Sequence, residues 1–101
     1  MKRSILIAAA LSAMPALAAP GDTQADKDAA CKSWGDLAAV IMKLRQTEAP
    51  MSEAIKGTGD DSSRRLIIEA YKEPAYLSED GQARAVDRFR NEIELACFQS
   101  Q

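Results

Sequence analysis

The chain contains no histidine, and that single absence removes both the commonest general base and the commonest metal ligand. It carries no G-x-S-x-G elbow, no glycine-rich phosphate loop and no cysteine cluster of zinc-binding spacing. Acidic residues outnumber basic ones, 15 Asp and Glu against 13 Lys and Arg. The basic face that phosphate binding needs is therefore missing, and nucleic acid is not an expected partner. Two carboxylate pairs remain for acid and base work, Asp60 with Asp61 and Glu69 with Glu73. The first sits where a helix would be capped and the second where an i, i+4 pair faces solvent, so neither is assigned a catalytic role. No enzyme activity, cofactor or metal is expected on these grounds.

What is present begins with a leader. Lys2 and Arg3 precede an apolar, alanine-rich stretch from Ile5 to Leu17, and Ala16-Leu17-Ala18 has the small-x-small pattern of a signal-peptide cleavage site. The run is shorter than the roughly 20 residues that a bilayer-spanning helix requires. A cut after Ala19 would leave Pro20 first, so residues 1–18 are read as the signal peptide and 19–101 as a single domain. That domain is more acidic than the whole chain, whose formal net charge is −2, because Lys2 and Arg3 leave with the leader. No cysteine follows the cut to accept a lipid, and no second apolar run is long enough to span a membrane. The expected location is the periplasm or the medium outside the cell.

In that oxidising setting Cys31 and Cys97, without a metal-type spacing or a C-x-x-C motif, read as one structural disulfide. Free thiols or an intermolecular bridge are the alternatives. Closing a loop of about 66 residues stabilises by roughly 4 kcal/mol in the chain-entropy model, a useful increment for a domain with so small a core.

Hydrophobic spacing predicts an all-α fold, a small bundle of about four helices, two long and two shorter, clamped by the disulfide between the first and the last. From about Ala25 to Gln46, Cys31, Trp34, Leu37, Ala38, Ile41 and Leu44 recur at steps of three and four. Gly35 inside this helix marks either a close approach or a tolerated cost. Ala19 to Thr23 ahead of it reads as a mobile arm. Pro50 to Lys56 reads as a short helix with Pro50 in its first position, ended by Gly57. A third helix is expected from about Ser62 to Lys72, capped by a group among Asp60 to Ser63 and burying Leu66, Ile67, Ala70, Tyr71 and part of Ile68. Pro74 ends it. Ser78 is the natural cap of the last helix, whose apolar line is Val86, Phe89, Ile93, Ala96 and Cys97, widened by Ala85, Leu95 and Phe98. No stretch alternates at period two, so no sheet is expected.

Two stretches between helices carry groups suited to protein recognition. One is the turn around Arg45, Gln46 and Met51, and the other holds Tyr71 and Tyr76. The competing structural roles are a helix C-cap for Arg45 and core or edge packing for the tyrosines.

The set Cys31-x-x-Trp34-x-x-Leu37-Ala38-x-x-Ile41-Met42-x-x-Arg45-Gln46, Pro50-Met51-Ser52, Ala70-Tyr71-x-x-Pro74-x-Tyr76, Phe89 and Cys97 resembles an uncharacterised family of small exported helical proteins from bacterial genomes and prophages. The resemblance implies export and transfers no activity or functional residue. The expected function is a non-catalytic protein-interaction module at the cell envelope, with an unidentified protein partner. The alternative is an acid-stress periplasmic chaperone similar in plan to the HdeA type: on acidification carboxylates lose their charge while cations remain, and repulsion loosens the fold.

Overall fold

A computed structural model describes residues 23–101, and these hold four helices and no strand: α1 (Gln24–Gln46), α2 (Met51–Lys56), α3 (Asp61–Tyr71) and α4 (Glu79–Gln99). The expected signal peptide at 1–18 and residues 19–22 of the arm lie outside the described residues. Thr23, assigned above to the arm, is instead the cap of α1. Its hydroxyl accepts from the Asp26 N–H at 3.0 Å and its carbonyl from the Lys27 N–H at 3.0 Å, satisfying donors that a helix start leaves unpaired.

The other helix starts follow the same chemistry. Pro50 precedes α2 as its N-cap with φ −60° and ψ 139°, one position before the place expected for it. Asp60 caps α3, its Oδ1 accepting from the Ser63 N–H at 2.7 Å. Ser78 caps α4, its Oγ accepting from the Gly81 N–H at 3.0 Å. A Cβ on Gly81 would stand 3.0 Å from both the Ser78 Oγ and the Tyr76 Cβ, a tight fit that those neighbours would have to yield to.

α1 ends in a Schellman turn. The Ala49 N–H reaches the Leu44 carbonyl at 3.0 Å and the Glu48 N–H reaches that of Arg45 at 2.9 Å, which is the paired 6→1 and 5→2 pattern of that motif. Glu48 occupies the left-handed position with φ 64°, where glycine is the residue without steric cost.

All four helices contribute to one core: Ala38, Ala39, Ile41 and Met42 from α1, Ala54 from α2, Leu66, Ile67 and Ala70 from α3, and Ala85, Val86 and Phe89 from α4. Its centre is built on alanines because small side chains let helix axes approach closely. The inward face of α1 holds Cys31, Ala38 and Ile41 as expected, together with Gly35, Ala39, Met42 and Gln46, positions that recur at steps of three and four on a helix turning about 100° per residue. Trp34 and Leu37 are instead half-buried on its flank, and Leu44 is exposed. On α3, Leu66, Ile67 and Ala70 are buried as expected, Tyr71 is half-buried and Ile68 faces solvent. On α4, Ala85, Val86 and Phe89 are buried, whereas Leu95, Ala96 and Phe98 of the expected apolar sector are exposed.

The Cys31–Cys97 disulfide joins α1 to α4 with a Cα–Cα separation of 5.5 Å. Cys31 is buried and Cys97 half-buried, and the Gln101 side-chain amide donates to the Cys31 Sγ at 3.2 Å. One turn further along, α4 crosses so near α1 that a Cβ on Gly35 would overlap the Glu94 side chain. Close approach, rather than tolerance, explains that glycine.

Candidate functional site

The four helices place two connections, Thr47–Pro50 and Lys72–Ser78, at the same end of the bundle, and each is held by the helix that belongs to the other. Arg45, near the end of α1, donates from Nε to the Glu73 carbonyl at 2.7 Å. That carbonyl lies beyond the α3 C-cap, Lys72, so the bond ties the following connection to α1 rather than capping α3, and the guanidinium lies 5.4 Å from the centroid of the Tyr71 ring. Tyr71, at the end of α3, donates its hydroxyl to the Ala49 carbonyl at 2.6 Å. Each connection is thereby tied across 22 to 28 residues of sequence.

Gln46 completes this arrangement from the interior. Its Nε2 donates to the Pro74 carbonyl at 2.9 Å, and its Oε1 accepts from the Tyr76 N–H at 2.8 Å. The side-chain amide thus pairs with residues 74–76 as a neighbouring backbone would. A contact of 3.4 Å from Nε2 to the Met42 sulfur fills the remaining side. Gln46 is only 5% exposed, so its expected place on a recognition surface gives way to an internal one: both polar ends are occupied, as buried amides require. Its register gave a signal, since position 46 continues the Cys31, Ala38, Met42 line.

The remaining candidates divide by exposure. Arg45 and Tyr71 are half-buried, and Met51 and Tyr76 are exposed at this end. Arg88 on α4 reaches both the Glu73 carboxylate and the Tyr76 hydroxyl at 3.4 Å. Desolvation opposes the Arg88 charge, but Glu73 and Tyr76 outweigh it and raise its pKa above the ordinary arginine value. Gln82 donates to the Tyr76 carbonyl at 2.9 Å, so Tyr76 is held at both backbone groups. Leu77, which follows, is 97% exposed. Sequence reading passed over it because it belongs to neither flanking helical period.

Apolar grooves flank α1. One, of about 200 Å³, lies between Leu37, Val40 and Leu44 of α1 and Ala54, Ser63 and Ile67. Another, of about 300 Å³, lies between the end of α1 and the start of α4, with Ala83 and Val86 among the residues that line it. Three of the four carboxylates considered for catalysis are engaged separately. Asp60 caps α3, Glu69 pairs with Lys72 at 2.8 Å, and Glu73 pairs with Arg88. The Asp60 carboxyl is held below its usual pKa of 3.8, chiefly by the Ser63 backbone N–H and then by the Ser63 hydroxyl. Among the described residues, no three or more acidic or cysteine side chains gather into a metal-binding group, and no helix is long and apolar enough to cross a membrane.

No protein-family model, no curated protein and no solved structure matches this chain.

Proposed function

We propose that this protein is a non-catalytic protein-interaction module of the cell envelope, exported by the leader at 1–18 and binding another protein through Met51 and Tyr76. The observation that carries this reading is the cross-tied end of the bundle. Hydrogen bonds from Arg45, Gln46, Tyr71 and Gln82 hold the backbone of both connections, while Met51 and Tyr76 stay exposed. Side chains displayed on a pre-organised backbone bind with less ordering cost than those on a mobile loop, and an aromatic and a thioether are each suited to protein contacts. The disulfide between the chain ends is compatible with an oxidising compartment. A photo-crosslinking residue placed at position 51 or 76 in cells should give one adduct of defined mass. The same residue at Glu92, on the exposed face of α4, should not. Identical adducts from all three positions would overturn this reading.

The acid-stress chaperone is the second reading, favoured by contacts that depend on ionised carboxylates, notably the Asp60 cap and the Glu73–Arg88 pair. It requires apolar surface to appear on acidification. Unchanged circular dichroism and no binding of an apolar dye between about pH 7 and pH 2 would eliminate it.

A further inference from the structure

We propose that the Cys31–Cys97 bond is a one-sided thiol-exchange site: a small thiol attacks Cys97, Cys31 leaves, and the mixed disulfide formed on Cys97 frees the start of α1 and the end of α4 while the core stays folded. The two sulfurs are unlike. Cys31 is 1% exposed and Cys97 half-buried, so a thiolate approaching along the S–S axis reaches Cys97 first. The electron pair of the broken bond goes to the other sulfur. The Gln101 side-chain amide donates to the Cys31 Sγ at 3.2 Å, and a donor already in place supports the charge that builds there, against the cost that burial puts on it. The step balances: the incoming thiolate bonds to the Cys97 Sγ, the Sγ–Sγ bond breaks, and Cys31 departs as a thiolate that takes a proton from water. A second thiol, attacking the sulfur of the first, releases Cys97 and carries away both thiols as their disulfide.

What the bond holds follows from where it lies. The core residues of α1 begin at Ala38 and those of α4 end at Phe89. Among the described residues, Cys31 is the only buried one of α1 before Gly35, and none of α4 after Phe89 is buried. Residues 23–30 are exposed at every position, as are Leu95, Ala96, Phe98 and Gln99 around Cys97. Trp34 and Ile93 are the outermost side chains of the two helices that pack against the core. Burial stabilises in proportion to the area removed from water, so beyond these two the covalent bond supplies what packing does not. Helical turns without a packed face have the lowest local stability, and opening the bond releases them.

This inference does not rest on the envelope reading, since exchange at Cys97 involves neither Met51 nor Tyr76. The test is brief exposure of the purified, oxidised protein to reduced glutathione, followed by an acid quench, maleimide labelling of free thiols and peptide mass spectrometry. Glutathione on Cys97 with maleimide on Cys31 should exceed the reverse pattern at least about tenfold. Gln101→Glu keeps the shape of the side chain but sets a carboxylate oxygen against the departing sulfur, and should slow exchange at Cys97 about threefold or more. In hydrogen exchange on protein held reduced, residues 24–33 and 94–99 should lose protection, while the amides of Ile41, Met42, Ile67 and Phe89 stay at least about tenfold better protected. Equal labelling of the two cysteines, or a Gln101→Glu rate equal to the parent's, overturns the proposal. So do helix ends that keep their protection, or a core that loses its protection together with them.

Discussion

Replacing Gln46 with alanine tests the internal role of this side chain most directly. The substitution removes the bonds to the Pro74 carbonyl at 2.9 Å and from the Tyr76 N–H at 2.8 Å. Each contributes about 1 kcal/mol net, and a little more is lost with the buried methylene that packs beside Met42. The freed backbone groups lie at the edge of the bundle, where Pro74 and Tyr76 are exposed, so water can take them up and no large further penalty is added. The expected loss is about 2–3 kcal/mol, or roughly 10–20 °C in melting temperature for a domain of this size. Gln46→Glu sharpens the test, because a carboxylate can still accept from Tyr76 but places charge against the Pro74 carbonyl. Burial and that carbonyl raise the carboxyl pKa in the folded state above its unfolded value. The folded state then binds more protons, so the variant gains stability as pH falls, when the protonated acid can donate to Pro74. The assay is thermal melting by circular dichroism across pH, with hydrogen exchange of the Tyr76 amide as a local readout. A Gln46→Ala loss below about 0.5 kcal/mol, typical of a surface change, would refute the reasoning, as would a Gln46→Glu profile parallel to the parent.

Three further outcomes are expected. Glu48→Gly relieves a left-handed residue with φ 64° and should stabilise by about 1 kcal/mol, while Glu48→Ala should not; equal melting temperatures for the two variants would show that the backbone there is unstrained. Reducing the Cys31–Cys97 bond, or replacing both cysteines with alanine, should cost about 4 kcal/mol through the reopened loop, and an unchanged denaturant midpoint would contradict that. Asp60 has a depressed folded pKa, so its contribution is present above its unfolded value near 3.8 and lost as pH falls through the folded one. Asp60→Asn should remove that dependence, and its difference in melting temperature from the parent should narrow as pH falls below the unfolded value of 3.8.

Local chemistry was legible residue by residue. Ser78 was readable as a cap, and the α3 cap was narrowed to Asp60 to Ser63, because a short polar side chain ahead of an apolar periodic stretch has few other uses; Ser78 and Asp60 are the residues that cap. Gly57 and Pro74 punctuate the chain for backbone reasons that need no tertiary partner. The long-range bonds were not legible. Nothing local tells Arg45 that it meets the Glu73 carbonyl, or Gln46 that it pairs with residues 74–76, since these partners lie 28 to 30 residues away. The facing of α1 was legible in part: Cys31, Ala38 and Ile41 are buried, whereas Trp34 and Leu37 are half-buried and Leu44 is exposed. How far round α1 the burial extends depends on how closely the other helices approach Gly35 and Ala38.

By itself, then, the sequence determined the helical class and the order and approximate ends of four helices, because periodicity and capping act over one or two turns. The tertiary structure decided which flank of α1 is buried, that Gln46 is an internal tie rather than a surface group, and that Leu77 is left standing in solvent. Those outcomes depend on which backbone groups and which neighbouring helices meet when the bundle closes, and no stretch of chain contains that information alone.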